Sequence, residues 1–537
     1  MKMMTTPPQP TATTSAASML QRVFDHFERH ALHREGVWFV WIVLLLLRWV
    51  VGLHAYSGAH TPPMYGDYEA QRHWMEITLQ LPPRDWYFNT TDNDLLYWGL
   101  DYPPLTAYVS YVFGAIAMLF EPELVELTAS RGYESATSKV FMRASVVLCD
   151  LILFLPAVFM AARTVSQETR WSRQMTYVVV LLAQPSLLLI DHGHFQYNNV
   201  CLGFTALAVA LLWQDKEVLA SVAFCCALNF KQMALYYAPA VGIYLLSKCL
   251  YRRHVVVHVA KLAVVVLATF ALLWFPFCVS PRAGETCLSS LAQVVHRIFP
   301  FARGLFEDKV ANVWCVVDLV LKLKRRLAPT TQMRLCTVAT ACGFLPSVVD
   351  LLRRRPTKSR FLLALCCSSL SFFLFSFQVH EKSILLPLLP VSMLYAQTPL
   401  LSSWFSVIST FSMFFLLKKD GLLVPYVALQ VLYFIFVVVP ALSAGDSPTA
   451  APGHHLDGRP RPWMRIYVVL STIGMLVIHL AHATVTPPPQ YPHIFDYLFA
   501  AYSCGHFVLA LGYCTFWQWS SRDVDSEPSA AAKLKAE

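Results

Sequence analysis

The chain has 537 residues, of which 56% are hydrophobic and 14% are charged, with a mean hydropathy of +0.48. Soluble domains carry about 25% charged residues, so this composition excludes an ordinary soluble protein and indicates a membrane protein. The net charge of +9 is therefore interpreted by position, as a report on the orientation of apolar runs, and it does not indicate a nucleic-acid surface.

Residues 1–36 are predicted to form a cytosolic tail, rich in Thr, Pro, Ala and Ser, that carries Arg22, Arg29 and Arg34. A cleaved signal is not indicated, because no basic start runs into a short apolar core with a cleavage site. The apolar run at 37–56 is long enough to cross roughly 30 Å of hydrocarbon. Since basic residues precede it, the positive-inside rule puts the N-terminus in the cytosol and the next loop outside.

Charge also decides which of the later apolar runs cross the membrane. The runs 103–120 and 311–323 are predicted to lie along the outer surface, because letting either one cross would put arginine clusters on the wrong side. Together with the first run, the others give about fourteen spans and return the C-terminus to the cytosol. These spans are 140–162, 174–190, 199–213, 217–230, 233–247, 259–279, 333–351, 361–378, 384–397, 401–417, 421–440, 463–483 and 496–516.

Most of the 14 cysteines lie inside apolar runs, without CxxC pairs or zinc spacing, and are interpreted as small buried hydrophobes. Cys278 and Cys287 differ, because both flank a predicted polar loop. They can pair if this loop faces an oxidising lumen, and the sequence leaves that pairing open.

The outer segment 57–139 carries the densest set of ionisable residues and begins with Asp67, Glu69, Arg72 and His73. Such groups beside a bilayer are costly to bury, which indicates a site. Partial desolvation can raise the pKa of a carboxylate there towards that of a useful general base. The alternative for Asp67 is that it caps the helix that follows.

The same segment contains Asn89, which begins the one Asn-x-Ser/Thr glycosylation acceptor of the sequence. Its position agrees with an outer, glycosylating compartment. The run 92–94 matches an Asp-x-Asp metal motif, but beside the acceptor it is interpreted as a solvated turn. Five aromatic side chains either stack on sugar rings or anchor the loop at the membrane interface: Trp74, Trp86, Tyr87, Tyr97 and Trp98.

Three further polar segments fall on the outer side of this topology. The segment 191–199 interrupts two apolar runs, and its polar side chains are predicted to bind hydroxyls or phosphate, with plain loop polarity as the alternative. A metal held by its His-x-His pair is disfavoured, because no third ligand stands out. Arg303 lies in the next segment. In the last, the run 380–382 either caps a helix end or binds phosphate through its positive charges.

A Pro/Gly-rich stretch at 443–462 is predicted to be a mobile cytosolic loop. Near the C-terminus, Lys533 and Lys535 form a pattern like the dilysine retrieval signal that cytosolic coat proteins recognise. With the glycosylation acceptor, this pattern predicts the endoplasmic reticulum.

Six strings stand in an order typical of one enzyme family: Gly66–Thr78, Tyr97–Thr106, Ser130–Ser135, His192–Asn198, Arg303–Asn312 and His380–Ser383. They resemble the endoplasmic-reticulum dolichyl-phosphate-glucose-dependent glucosyltransferases of asparagine-linked glycosylation. The similarity covers roughly residues 37–440. It is closer to members that add the first glucose than to those that add the second, in which the string Glu69–His73 is not kept.

The resemblance implies an all-α polytopic membrane protein with the GT-C glycosyltransferase fold and lumenal juxtamembrane helices. It also implies the reaction, an inverting transfer of glucose from dolichyl phosphate glucose to the terminal mannose of dolichol-linked Man9GlcNAc2 in α-1,3 linkage. The expected organisation is a tail at 1–36, a catalytic membrane module at 37–440 with its lumenal catalytic loop at 57–139, a linker at 441–462, and a final pair of spans with a cytosolic tail at 463–537.

By the same resemblance, Asp67 is the base that takes the proton from the attacking mannose hydroxyl. The leaving dolichyl phosphate is already an anion and needs positive partners, for which Arg303, His380 and Lys382 are candidates. No metal or other cofactor is expected, because side chains can neutralise a single phosphate. The matched strings further imply these substrate-binding residues: Glu69, Arg72, His73, Asp101, Tyr102, His192, His194, Gln196, Asn198 and Glu381.

Two alternatives stay open. The first is the sister enzyme that adds the second glucose. The second is a polytopic lipid or sugar transporter, which would carry ionisable groups near mid-bilayer in paired broken helices.

Overall fold

The computed structural model describes residues 18–299, 309–443 and 462–521. Within these ranges the chain forms helices and turns and no β-strand, so the prediction of an all-α polytopic membrane protein is confirmed. Four features that the sequence analysis singled out lie outside the described residues: Arg303, most of the linker at 444–461, Lys533 and Lys535.

The longer helices are labelled in chain order. They are α1 (Met19–Arg29), α2 (His33–Gly52), α3 (Asp67–Gln80), α4 (Pro104–Phe120), α5 (Ala136–Val165), α6 (Trp171–Leu182), α7 (Pro185–Phe195), α8 (Asn198–Trp213), α9 (Glu217–Phe230), α10 (Gln232–Leu250), α11 (Val255–Trp274), α12 (Cys287–Ile298), α13 (Val313–Leu321), α14 (Pro329–Arg353), α15 (Lys358–Phe375), α16 (Leu385–Met393), α17 (Pro399–Ser412), α18 (Leu423–Ser443), α19 (Pro462–Thr484) and α20 (Ile494–Ser520). Shorter helical segments include Pro83–Asp85, Pro122–Val125, Pro276–Val279, Leu323–Arg326, Glu381–Ile384 and Phe414–Lys419.

Among the described residues, nine helices are long and apolar enough to cross a membrane, or ten if the bent pair α6 and α7 forms one span. The predicted count of about fourteen is not confirmed. Every predicted span contains a helix, but α8, α9 and α16 have only 16, 14 and 9 residues. A single helix needs roughly 20 residues to cross the hydrocarbon core. The predicted runs 199–213 and 217–230 match α8 and α9 within one residue, whereas the run 384–397 is longer than α16.

Two glycines set the position of α3. A Cβ atom on Gly66, the residue before this helix, would lie 2.7 Å from the carbonyl oxygen of Ser57. A Cβ atom on Gly114 of α4 would lie 2.7 Å from the carbonyl oxygen of Met75. Because only glycine permits such close approaches, α3 is held firmly between the segment that follows α2 and the helix α4.

A disulfide joins Cys278 and Cys287, the pairing that the sequence left open. It ties the end of a short helix to the first residue of α12. From α12, Gln293 Nε2 donates to the carbonyl oxygen of Tyr87 at 2.9 Å, and Arg297 Nη2 donates to that of Gly99 at 3.0 Å. The disulfide therefore fixes a helix that supports the loop between α3 and α4.

Inside the helical bundle, a buried ionic network joins α2, α5, α7 and α8. Arg48 Nε of α2 lies 2.6 Å from Asp150 Oδ2 of α5, and both side chains are fully buried. The same carboxylate oxygen lies 3.0 Å from His192 Nε2 and 3.0 Å from Asn199 Nδ2. Arg48 Nη2 also donates to the carbonyl oxygen of Leu182. Because four helices share one carboxylate, their relative positions depend on it.

We expect Arg48→Met to lower the free energy of unfolding by roughly 3–5 kcal/mol, because Asp150 would stay buried after losing its charged partner. Thermal unfolding of the detergent-purified protein measures this change.

The matched control is Arg170→Met. Arg170 pairs with Asp25 and Glu28, each at 3.0 Å, but its side chain is 51% exposed. Exposed pairs contribute about 1 kcal/mol or less, so this variant should unfold close to the wild type. Equal destabilisation by the two substitutions would contradict a large contribution of the buried network to the free energy of unfolding.

Candidate active site

The structure brings four of the predicted residues together around one oxygen atom. Asp67 Oδ2 lies 2.9 Å from His194 Nε2 and accepts a hydrogen bond from Gln196 Nε2 at 2.5 Å. Lys382 Nζ forms an ion pair with the same oxygen. Asp67 opens α3, His194 lies near the end of α7, and Lys382 belongs to the short helix Glu381–Ile384. Three distant parts of the chain therefore meet at Asp67.

Asp67 does not cap its helix. Gly66 occupies the N-cap position, and no side chain makes a capping hydrogen bond there. Ser57 supports both sides of the cluster instead, since its N–H donates to the carbonyl oxygen of His194 at 2.9 Å and its hydroxyl accepts from the N–H of Asp67 at 3.3 Å. The Asp67 carboxylate, 21% exposed, is left free to face the cluster.

The sequence analysis missed Asp420. Its Oδ2 lies 2.5 Å from Nδ1 of His194, and its side chain is 3% exposed. A second carboxylate therefore orients the imidazole from behind while the other ring nitrogen faces Asp67. The predicted topology could have indicated Asp420, because this residue follows the span 401–417 in a polar break that the topology puts on the same outer side.

Electrostatics keep Asp67 ionised. Burial alone would raise the pKa of Asp67, but the charge of Lys382 and the hydrogen bond from His194 hold it well below the ordinary 3.8. Burial similarly acts to lower the pKa of Lys382, and the charge of Asp67 reverses this and raises the pKa above 10.5. The two groups thus form an ion pair over the whole physiological pH range.

Glu69, Arg72 and His73 belong to a separate network on α3. Arg72 donates to both Glu69 oxygens at 2.7 Å and to Glu76 Oε2 at 2.8 Å. His73 Nδ1 lies 2.9 Å from the same Glu76 oxygen. All four side chains are at most 3% exposed. Their hydrogen bonds are therefore internal, and among the described residues none of them joins this network to Asp67.

This network pins the loops around α3. Tyr97 OH donates to Glu69 Oε1 at 2.8 Å, and Ser130 Oγ accepts from Arg72 Nη1 at 2.6 Å. Burial acts to raise the pKa of Glu76, but His73 and Arg72 lower it to about 2. The sequence analysis did not single out Glu76, although its place one helical turn after Arg72 predicts a pair. Substrate binding by Glu69, Arg72 and His73 remains a prediction.

His192 and Asn198 lie in the neighbouring buried networks. His192 contacts Asp150 of the ionic network, so the two histidines of the His-x-His pair bind different carboxylates. Asn198 Nδ2 donates to Asp191 Oδ1 at 2.7 Å, and Asn198 Oδ1 accepts from Lys231 Nζ at 2.5 Å. Among the described residues, no group of three His, Cys, Asp or Glu side chains is arranged to hold a metal ion.

The remaining predicted residues lie in the surrounding loops. The carbonyl oxygen of Asp101 lies 3.4 Å from Gln232 Nε2, and that of Tyr102 accepts from Tyr87 OH at 2.7 Å. His380 and Glu381 are half-buried directly before Lys382. Asn89 is exposed, as a glycosylation acceptor requires. The arrangement as a whole offers one accessible, ionised carboxylate beside a cation, which suits proton abstraction next to an anionic leaving group.

Comparison with known proteins identifies the family. The model of the ALG6, ALG8 glycosyltransferase family matches residues 44–513, which includes the helices that follow the linker. The dolichyl pyrophosphate Man9GlcNAc2 alpha-1,3-glucosyltransferase of Gallus gallus is 44% identical over 488 residues, covering 88% of this chain and 94% of that protein. A probable enzyme of the same name from Dictyostelium discoideum is 42% identical, covering 90% and 95%.

The Saccharomyces cerevisiae protein of this name is 39% identical over 516 residues and 92% of each chain. The similarity thus extends over nearly the full length of proteins from distant organisms. The chain belongs to the ALG6, ALG8 glycosyltransferase family and is a multi-pass membrane glycosyltransferase.

Proposed function

We propose that this enzyme transfers glucose from dolichyl phosphate glucose to the terminal mannose of the Man9GlcNAc2 oligosaccharide on dolichyl pyrophosphate. The new bond is an α-1,3 linkage, formed with inversion at the transferred sugar. The names of the relatives support the acceptor and the linkage. The observation that carries the proposal is the accessible Asp67 carboxylate, held beside Lys382 and oriented by His194.

In this mechanism Asp67 accepts the proton of the attacking mannose hydroxyl. The freed oxygen forms a bond to the anomeric carbon of glucose while the bond from that carbon to the phosphate oxygen breaks on the opposite face. The electron pair of the broken bond leaves with dolichyl phosphate, which nearby positive charges stabilise. Because side chains can neutralise this single phosphate, the proposal includes no metal.

Lys382 has two anionic partners in this scheme. In the free enzyme its ammonium is paired with Asp67. When a donor is bound, its phosphate competes for the same ammonium group. A shift of Lys382 towards the phosphate removes a charge that lowers the pKa of Asp67, so the carboxylate becomes a stronger base only when a donor is in place.

We place the reaction in the lumen of the endoplasmic reticulum, with both termini in the cytosol. The charge-based topology puts Asp67, His194, Lys382 and Asp420 on one outer side, and these residues are in contact. The disulfide Cys278–Cys287, which favours an oxidising compartment, lies at the outer end of α11 in the same topology.

Membership of a glycosyltransferase family argues against the transporter alternative. The sister activity is distinguished by the acceptor. The purified enzyme should glucosylate dolichol-linked Man9GlcNAc2 at least roughly 100-fold faster than the same glycan carrying one glucose. In the glucosylated acceptor the mannose hydroxyl is already substituted, and a site shaped to bind that hydroxyl rejects it. A preference for the glucosylated acceptor in a mass-spectrometric assay would instead assign the second transfer.

We expect Asp67→Asn to lower kcat by a factor of roughly 10²–10⁴, because the amide cannot accept the hydroxyl proton. Binding of dolichyl phosphate glucose should be retained, since the variant keeps every positive side chain. Turnover in a purified transfer assay and donor affinity by ligand-dependent thermal shift measure the two effects. Asp92→Asn is the matched control, because Asp92 is an exposed aspartate of the same lumenal loop. Near-normal turnover of Asp67→Asn would remove this residue from the mechanism.

The pKa of Asp67 also predicts the pH profile. A lowered pKa means that the carboxylate gains its proton only when the pH falls through that low value. The kcat/KM for the donor, which reports on the free enzyme, should stay level from about pH 8 down to about pH 5.

Lys382→Met removes one of the charges that lower the Asp67 pKa, so the acid limb of its profile should move to higher pH. The residual activity should be low, because the phosphate also loses a partner. The midpoint of the pH profile can still be measured, because it does not depend on the absolute rate. A midpoint near 6.5 in both proteins would indicate a histidine base instead.

A further inference from the structure

Lys231 is a buried cation that the proposed mechanism does not yet use. It follows the last residue of α9 and is only 5% exposed. Its Nζ donates to Asn198 Oδ1 at 2.5 Å and lies 4.9 Å from the centre of the Tyr102 ring. Among the described residues, no carboxylate oxygen lies within 4.0 Å of this ammonium group.

Such an arrangement is unusual for a buried charge, because removing an ammonium from water is costly unless an anion or several hydrogen bonds compensate. Two half-buried lysines differ. Lys382 is paired with Asp67, and Lys248 lies 2.6 Å from Asp215 and 2.7 Å from Glu217. Lys231 has three N–H donors, one amide acceptor and one ring face. Its charge is available for an anionic ligand.

The backbone around Lys231 joins it to the active site. Two residues further on, Met233 Sδ accepts a hydrogen bond from the hydroxyl of Ser383, the residue after Lys382. Gln232 Nε2 lies 3.4 Å from the carbonyl oxygen of Asp101, beside Tyr102. Lys231 thus sits between the helix that carries Lys382 and the lumenal loop that carries Tyr102.

Electrostatics agree with this placement. Burial acts to lower the pKa of Lys382, and the charges of Asp67 and Tyr102 act to raise it. The positive charge of Lys231 opposes that rise, so the two ammonium groups are close enough to repel each other. Burial lowers the pKa of Lys231, and the charges of Asp191, Asp67 and Asp101 only partly offset this effect. The ammonium group is therefore incompletely compensated, and a bound anion would stabilise it.

We propose that Lys231 binds the phosphate of the lipid donor, together with Lys382. This assignment rests on the proposed function, which supplies a phosphodiester that bears one negative charge. In the free enzyme Lys231 can bind the phosphate directly, because its ammonium forms no ion pair with a carboxylate that must first break. The phosphate that it holds can then attract Lys382 away from Asp67.

The test measures the affinity of the full-length purified protein for dolichyl phosphate, the product without glucose, so that no turnover is needed. Lys231→Met should weaken this binding by roughly 10- to 100-fold, which is the usual effect of losing a charge-assisted hydrogen bond. Lys231→Gln should do the same, although its amide can still donate to Asn198. Lys231→Arg should keep binding within a few-fold of the wild type, because it preserves the charge.

The control variant is Lys248→Gln, which removes one lysine charge from a carboxylate pair outside the active site and should leave the affinity unchanged. A second readout separates binding from a purely structural role. A phosphate contact predicts a higher KM for the donor with little change in the acceptor KM. A structural brace predicts a lower melting temperature with unchanged affinity for dolichyl phosphate, and that result would overturn the assignment.

Either neutral variant tests the loss of charge if the other fails to fold. The Gln side chain retains the polar contact, and the Met side chain replaces the lysine stem with an apolar chain of similar length. Wild-type protein that transfers glucose while both folded neutral variants bind dolichyl phosphate normally would refute the role of Lys231 alone. Wild-type protein that neither binds dolichyl phosphate nor transfers glucose would refute the proposed function itself.

Discussion

The ion pair between Asp67 and Lys382 joins residues that are 315 positions apart, and the geometry of the site depends on it. Each of these charges would be costly to bury alone, so their attraction compensates the loss of water around both. The same carboxylate oxygen also contacts His194 and Gln196. One anion therefore defines where α3, the end of α7 and the short helix before α16 must meet.

The helix α7 serves the fold and the site at once. Its last eight residues, Leu188–Phe195, form a wide π-helical turn, and residues two positions apart in a helix point to roughly opposite sides. His192 consequently faces Asp150 in the ionic network of the bundle, whereas His194 faces Asp67 and Asp420. The His-x-His pattern thus reflects a helix with two polar faces. A shift of the bundle core would be transmitted to the Asp67 carboxylate through this segment.

Hydropathy and charge predicted the helical class and a common side of the membrane for Asp67, His194 and Lys382, which are in contact, because both follow from local composition. They did not decide which helices cross the membrane, because the ends of α8 and α9 follow the polar breaks within one residue while both helices are shorter than a full span. They also could not tell Glu69 and Arg72 from Asp67. All three are charged residues of one helix, but Glu69 and Arg72 are buried among internal partners, whereas Asp67 stays partly exposed. Asp420 and Lys231 were missed because each stands in a short polar break between apolar runs, 418–420 and 231–232, whose meaning depends on its neighbours in space.

The environment of Asp67 presents a physical conflict. Its position in the first turn of α3 adds the favourable field of a helix N-terminus to the charge of Lys382, and both stabilise the anion. A carboxylate stabilised this strongly is always available but has little tendency to take a proton. In the proposed reaction the donor resolves the conflict, because its phosphate competes for Lys382 while the helix field stays constant. The base is then strengthened by the arrival of the group that must leave, which couples deprotonation of the acceptor to occupancy by the donor. In this proposed scheme the carboxylate stays a weak base until a donor binds.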